Sequence, residues 1–148
     1  GYCPYADPPY ELAAGRIVVP VEMGGRVVGM QARRLDDGGG RPKWFSTPGM
    51  RKSELLYNYD VARTYSVAVV CEGVTDVWRV GPCGVALFGV DMSAAQLGLL
   101  ARGWAGGTVV LLLDNDGPRK PGAQEASRRH EARLRPLLGG RVVRVTLP

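Results

Sequence analysis

Two groups of acidic residues stand where hydrophobic segments of the sequence end. Residues 72–76 read Glu-Gly-Val-Thr-Asp and follow the apolar run 67–71, and residues 114–117 read Asp-Asn-Asp-Gly and follow the apolar run 109–113. Apolar runs of this length predict strands buried on both faces, as in parallel sheets. Ligands of such sheets bind outside the carboxyl ends of the strands, so we expect both acidic groups at one site.

A cluster of carboxylates repels itself unless cations neutralise it, and oxygen ligands of this kind suit Mg²⁺ or Mn²⁺. The sequence therefore predicts a metal site for phosphate chemistry. Asp, Asn and Gly also form ordinary turns and helix caps, which is the alternative for either group taken alone. The predicted metal ligands are Glu72, Asp76, Asp114 and Asp116.

From residue 66 onwards, predicted strands and helices alternate. Ser93 and Gln96 have the spacing of a capping box, and Gly139 and Gly140 follow the last helix. Alternation of this kind implies a parallel sheet with helices on both faces, an α/β fold. The predicted strands span residues 67–71, 85–88, 108–113 and 141–146, and the predicted helices span residues 75–80, 93–102 and 122–137.

The first part of the chain has a different pattern. Residues 16–21 and 26–33 are strand-like and are joined by Gly24-Gly25, which predicts a hairpin. Residues 43–48 form a short extended segment, and residues 53–63 show a helical or turn-like apolar face. We therefore predict a small mixed α+β lobe over residues 1–65, followed by the α/β domain over residues 66–148.

Composition restricts the classes of protein. The chain has 148 residues, of which 45% are hydrophobic, and no apolar run approaches the length of a membrane span. Three cysteines without a Cys-x-x-Cys pair and one histidine, His130, make a structural zinc site improbable and suggest a reducing cytoplasm. Cys71 is predicted to be a small buried hydrophobe, and Trp78 and Trp104 are predicted to be core residues.

The charge distribution suggests a polyanionic partner. The net charge is +5, and residues 66–148 contain seven acidic side chains, four of them in the predicted site, against ten Arg and Lys. A basic surface around an acidic pocket is what a metal-dependent enzyme acting on nucleic acid requires. The alternative is a surface whose arginines serve only solubility.

The spacing of the two acidic groups resembles the Toprim signature, which is shared by bacterial primases, topoisomerases and some nucleases and recombination proteins. The segments that precede it resemble the N-terminal lobe of DnaG-like primase cores, so the resemblance covers nearly the whole chain. It departs from the family at Thr47, at Asn58 and in the loop 118–121, which suggests a phage, plasmid or divergent member. The matching positions in the lobe are 16–21, 25–29, Arg33, 42–48, Lys52, Leu56, Tyr57, Ala62 and Arg63.

The resemblance implies a Toprim parallel sheet flanked by helices and preceded by a small mixed lobe. It implies a primase that makes short RNA primers from nucleoside triphosphates on single-stranded DNA, with Mg²⁺ or Mn²⁺ and no membrane. A replicative helicase would be a partner through a helicase-binding domain, and no segment of this sequence resembles that domain. The implied catalytic residues are Glu72, Asp114 and Asp116, and the implied nucleotide- or nucleic-acid-binding residues are Arg33, Lys43 and Lys52.

Other functions remain open from the sequence. A Toprim nuclease of the OLD type would use the same carboxylates with a water nucleophile, but it should lack the basic N-terminal lobe. A topoisomerase would need a catalytic tyrosine domain, and nothing in the sequence resembles one. A non-catalytic nucleotide- or nucleic-acid-binding module is the third alternative. Trp44 is expected to pack between the lobes or to stack on a base.

Overall fold

The chain divides into two compact units. The structure is a computed structural model that describes residues 1–36, 40–114, 122–139 and 141–145. The first unit is Gly1–Met50 and the second is Arg51–Pro148. Each unit has its own four-stranded sheet.

The first unit is built on an antiparallel sheet with the strand order β1-β2-β3-β4. The predicted hairpin is confirmed: β2 and β3 pair from Arg16↔Arg34 to Met23↔Arg26, with one irregularity between Val21 and Glu22. Gly24 and Gly25 join them with φ angles of 62° and 71°, which the two-residue turns of twisted hairpins require and glycine adopts easily. The strands are β1 (Tyr2–Cys3), β2 (Arg16–Met23), β3 (Arg26–Arg34) and β4 (Trp44–Ser46), with a 3₁₀ helix at Glu11–Ala13.

The second unit is an α/β layer structure, as the alternation of elements predicted. Its sheet has the order β6-β5-β7-β8, and all its strand pairs are parallel. No helix in the described parts of the chain is both long and apolar enough to cross a membrane. The strands are β5 (Val67–Cys71), β6 (Gly84–Ala86), β7 (Thr108–Leu111) and β8 (Val142–Arg144), and the helices are α1 (Tyr59–Ala62), α2 (Val74–Val80), α3 (Ala94–Gly103) and α4 (Gly122–Leu138), with a 3₁₀ helix at Lys52–Glu54.

The two tryptophans of the second unit have different environments. Trp104 is 2% exposed, and its indole donates a hydrogen bond of 3.0 Å to the carbonyl of Tyr65, so its prediction as a core residue is confirmed. The same prediction for Trp78 is wrong, because 48% of this residue is exposed. The Trp78 indole lies at the surface of α2 and donates to the Tyr57 hydroxyl at 3.1 Å. Cys71 is fully buried, as predicted.

The segment from Arg51 to Tyr65 belongs to the second unit. Tyr57 forms a β-bridge with Ala86, and the Asn58 amide donates to the carbonyls of Pro82 and Gly84 at 3.0 and 2.9 Å. The division between compact units therefore falls after residue 50, whereas the sequence placed the end of the first lobe at residue 65. The functional division into lobe and Toprim domain stays a prediction.

Two adjacent glycines before β7 provide a test of how closely the chain segments pack at the start of β5 and β7. An alanine Cβ at Gly107 would overlap with the carbonyl oxygen of Ser66, whereas a Cβ at Gly106 would meet nothing within 4 Å. We expect Gly107→Ala to lower the free energy of unfolding by about 1–3 kcal/mol, since overpacking against backbone forces the chain to shift. Gly106→Ala is the matched control and should stay close to the parent in urea unfolding. Equal midpoints for the two variants would contradict the close approach of these strands.

Candidate active site

The carboxyl ends of β5 and β7 bring two of the predicted site residues together. The strands pair in parallel up to Val70↔Leu111, and the amide of Leu112 donates to the carbonyl of Val70 at 2.9 Å. Two residues further on, the amide of Asp114 donates to the side-chain Oε1 of Glu72 at 3.1 Å. Glu72 and Asp114 therefore lie at one edge of the sheet, as the sequence predicted.

Asp76 follows Glu72 by four residues and lies in the first turn of α2. Its Oδ2 accepts a hydrogen bond of 3.0 Å from the Gly73 amide, so this carboxylate caps the helix. A Cβ at Gly73 would lie 3.2 Å from the same oxygen, so a larger residue there would require a small shift of the Asp76 carboxylate. The capping role expected as the alternative is thus present, and a metal role for Asp76 stays a prediction. Asp116 lies outside the described residues.

Burial and negative charge both act on the end of β5. The pKa of the Cys71 thiol is raised to about 12, chiefly by burial and further by the charges of Asp76 and Asp114. Both carboxylates therefore act electrostatically on one point at the strand end. Within the described residues, no group of three or more His, Cys, Asp or Glu side chains is arranged to hold a metal ion. The carboxylate oxygens of Glu72 and Asp114 are nevertheless of the type that a hard divalent cation prefers.

The loop after β6 supports the main chain at Glu72. The Leu87 amide donates to the Cys71 carbonyl at 3.0 Å, and the Gly89 amide donates to the Glu72 carbonyl at 3.0 Å. Between them, Phe88 has a φ of 65°, a left-handed conformation that a bulky residue rarely adopts. The prediction of a strand through residue 88 is therefore wrong, because the strand ends at Ala86 and Phe88 is not extended.

Helix α4 holds the far side of this loop through three side chains. Arg129 pairs with Asp91 at 2.8 Å, and Arg133 donates to the Met92 carbonyl at 2.7 Å. The Nε2 atom of buried His130 lies 2.9 Å from the Val90 carbonyl and 3.2 Å from the Met92 amide. No pattern in the sequence predicted this connection directly. A possible signal was the spacing of residues 129, 130 and 133, which places them on one helical face.

Lys52 lines a cavity beside the same loop. The cavity has a volume of about 430 Å³ and is bounded by Lys52, Ser53, Gln96 and residues 87–93. Its walls belong entirely to the second unit. One predicted nucleotide-binding lysine is therefore next to the loop that supports Glu72.

The other two predicted basic residues lie in the first unit. The Arg33 guanidinium lies over the Trp44 ring, 5.4 Å from its centroid, and these residues are cross-strand partners on β3 and β4. Such a cation–π contact holds the charge of Arg33 in a defined position. Lys43 is exposed, and its carbonyl accepts hydrogen bonds from the Arg34 amide and from the guanidinium of Arg16.

Arg16 is the most deeply buried charge of the first unit. It is 2% exposed, and its Nη1 donates to the carbonyls of Pro42 and Lys43 at 2.8 and 3.2 Å. Burial, followed by repulsion from Arg34 and Arg41, lowers the pKa of Arg16. From the sequence, Arg16 was predicted only to be part of a strand. Its contacts show that it attaches the segment before β4 to β2.

Comparisons with known proteins give a consistent result. No family model matches the chain. A curated DNA primase of Streptomyces coelicolor is 32% identical over an alignment of 135 residues, covering 80% of this chain and 21% of that protein. The structure of a DnaG catalytic core aligns with a TM-score of 0.74 and 26% identity, covering 91% of this chain and 46% of that one. The E. coli primase catalytic core aligns with a TM-score of 0.72 and 27% identity, with coverages of 91% and 45%.

The chain has the DnaG-type primase core fold. A DNA primase domain from Pseudomonas aeruginosa supports the same assignment, with a TM-score of 0.72, 25% identity and coverages of 91% and 44%. The chain spans about a fifth of the curated primase and less than half of each solved core. The likeness extends over the first unit as well as the sheet that carries the acidic residues. The predicted fold class is confirmed.

Several arginines of the chain have structural partners. Arg135 and Arg144 contact Glu131 at 2.7 and 3.3 Å, and the hydrogen bond from Arg135 is the main cause that lowers the pKa of Glu131. The Arg141 guanidinium donates to the carbonyls of Gly106 and Ala105, each at 2.6 Å. The basic excess counted from the sequence therefore includes side chains that hold the fold together.

The single histidine makes the link between α4 and the loop testable. Burial lowers the pKa of His130; Arg133 and Arg129 also lower it, whereas the Val90 carbonyl and Asp91 raise it. An unfolded imidazole titrates near pH 6.5, so below this pH the unfolded chain binds a proton more readily. The contribution of His130 to the free energy of unfolding should therefore be complete above about pH 6.5. It should be lost as the pH decreases from there through the lower pKa of the folded state.

NMR titration of the single imidazole, in folded and urea-unfolded protein, measures both pKa values directly, since His130 is the only histidine. Urea unfolding at several pH values gives the accompanying change in stability. A folded pKa at or above the unfolded one would rule out the buried neutral imidazole.

Proposed function

We propose that this chain is the nucleotidyl-transfer core of a primase, which makes short RNA primers from nucleoside triphosphates on a single-stranded DNA template. The observation that carries the proposal is the 3.1 Å contact from the Asp114 amide to Glu72, because it joins the two acidic strand ends at one sheet edge. The likeness to DNA primases over 80–91% of the chain supports this reaction in particular.

The acidic strand ends are the proposed place of the metal and of the chemistry. Glu72 and Asp114, together with Asp116 and with help from Asp76, would hold Mg²⁺ or Mn²⁺. When bound, the cation neutralises triphosphate charge and lowers the pKa of an attacking 3′-hydroxyl. The contribution of Glu72 itself is an oriented carboxylate: the Asp114 amide fixes its Oε1, and the Gly89 amide fixes its main chain.

The basic residues are the proposed contacts for the triphosphate or the template. Lys52 lines the cavity beside the loop after β6. Its ammonium group is a point charge that a phosphate oxygen can approach from several directions. Arg33, held over Trp44, presents a planar guanidinium suited to bidentate phosphate contact. Lys43 adds an exposed charge in the first unit. The primase resemblance supports all three assignments.

The remaining parts of the proposal follow from the resemblance. The cytoplasm would be the compartment, and a replicative helicase would be a partner through parts of the protein outside this chain. A Toprim nuclease would use the same acidic residues with water as nucleophile. The match of the first unit to primase cores, which continues over 91% of the chain, favours the primase.

A priming assay tests the proposal. Labelled ribonucleoside triphosphates, a single-stranded DNA template and Mn²⁺ should yield short oligoribonucleotides, resolved by size on a gel. Asp114→Asn should reduce the yield by roughly a hundredfold or more, since it removes a charge that the transition state depends on. Glu22→Gln is the matched control, because Glu22 is an exposed carboxylate on β2 that has no part in the proposed site.

The form of the products separates the alternatives. Shortened template without new RNA would indicate the nuclease. Nucleotide or DNA binding without any product would indicate a non-catalytic module. Equal yields from Asp114→Asn and the parent would remove the acidic strand ends from the reaction.

A further inference from the structure

Gln96 is a buried amide whose contacts exceed what its helix requires. It is 1% exposed and occupies the first turn of α3. Its side-chain Oε1 accepts a hydrogen bond of 3.0 Å from the main-chain amide of Ser93. The main-chain amide of Gln96 in turn donates to the Ser93 hydroxyl at 3.0 Å. These two bonds are the capping box that the sequence predicted. They use the oxygen of the side chain and leave its nitrogen available for other partners.

The nitrogen of Gln96 contacts three carbonyls outside α3. Nε2 lies 3.1 Å from the Lys52 carbonyl, 2.9 Å from the Leu55 carbonyl and 2.9 Å from the Leu87 carbonyl. The Ser93 hydroxyl adds a short hydrogen bond to the Ser53 carbonyl. The start of α3 therefore holds the segment that carries Lys52 against the loop after β6.

This loop is the one that supports the acidic strand end. Leu87, which accepts from Gln96, donates its amide to the Cys71 carbonyl, and Gly89 donates to the Glu72 carbonyl. Hydrogen bonds thus link the main chain of Lys52, through one buried carboxamide, to the loop of residues 87–89, whose amides donate to Cys71 and Glu72. Lys52 and the loop also line the same 430 Å³ cavity.

We infer that Gln96 is a positioning residue that fixes Lys52 relative to the acidic strand end and thereby sets the affinity for a nucleoside triphosphate. The inference rests on the proposed function, in which Lys52 contacts phosphate. Holding the main chain of Lys52 in place before the ligand binds reduces the backbone entropy that is lost when this lysine contacts a ligand. Gln96 itself is buried and does not touch the nucleotide.

A carboxamide supplies both an acceptor for the Ser93 amide and two N–H donors that the three carbonyls can share. A glutamate of the same length has no N–H group when ionised, and its charge would face three carbonyl oxygens. A methionine has similar length but no donor, so it fills the space and leaves the carbonyls of Lys52, Leu55 and Leu87 without this contact. Gln96→Met is therefore the informative substitution.

The test is a double-mutant cycle on nucleotide affinity. ATP with Mn²⁺ is titrated calorimetrically into the parent, Gln96→Met, Lys52→Ala and the double variant. Lys52→Ala should weaken binding roughly tenfold or more, the effect of losing a charge-assisted contact. Gln96→Met should weaken it several-fold, and in the Lys52→Ala background it should have no further effect, because Gln96 acts through Lys52.

Tyr59→Phe is the control for general loss of stability. The Tyr59 hydroxyl donates to the Leu99 carbonyl at 3.3 Å, so this substitution also removes a bond between α3 and the preceding segment, but in the middle of the helix and not at its start. Its nucleotide affinity should stay at the parent value. Gln96→Asn, which keeps the amide but has a shorter reach, serves if the methionine variant does not fold, and it should show the same dependence on Lys52.

The outcomes separate the inference from the proposed function. If Lys52→Ala weakens binding and neither Gln96 variant does, the inference fails and the role of Lys52 stands. A Gln96 effect of equal size in both backgrounds means a general structural role and also overturns the inference. If Lys52→Ala leaves affinity unchanged, the phosphate contact assigned to Lys52 is wrong, and the inference falls with it.

Discussion

The parallel pairing of β5 with β7 is the constraint on which the candidate site depends. Because the two strands run side by side in the same direction, their carboxyl ends reach the same edge of the sheet. Beyond the last paired residues, the Asp114 amide donates a hydrogen bond to the Glu72 side chain. A shift of one residue in this register would turn one of the two carboxylates to the other face of the sheet.

The elements around these strands act as supports for the site. The loop after β6 donates to the main chain at Glu72, and α4 holds that loop through Arg129, His130 and Arg133. Gln96 both caps its own helix and contacts a neighbouring segment, and the capping carboxylate of Asp76 adds negative charge near Cys71. Residues that begin helices at this sheet edge thus also contribute to the electrostatics and the geometry of the site.

Local sequence signals predicted the strands, the helices and the meeting of Glu72 with Asp114, because apolar runs and capping residues depend on near neighbours. Contacts between distant segments were not predictable in this way. The positive φ of Phe88 follows from bonds to β5, and the exposure of Trp78 depends on which face of α2 lies outward. Two of the three carbonyls that Gln96 contacts lie about forty positions before it in the chain, and a capping box alone gives no sign of these contacts.

The central claim, that the strand ends bind a divalent cation, is tested most directly by paramagnetic NMR. Substoichiometric Mn²⁺ should broaden the amide signals of Glu72, Gly73, Gly89 and Asp114 before those of the first unit. The broadening should be lost in a Glu72→Gln, Asp114→Asn double variant that keeps the parent's thermal stability. Unchanged broadening in that variant, or broadening that is strongest elsewhere in the chain, would contradict a metal site at this sheet edge.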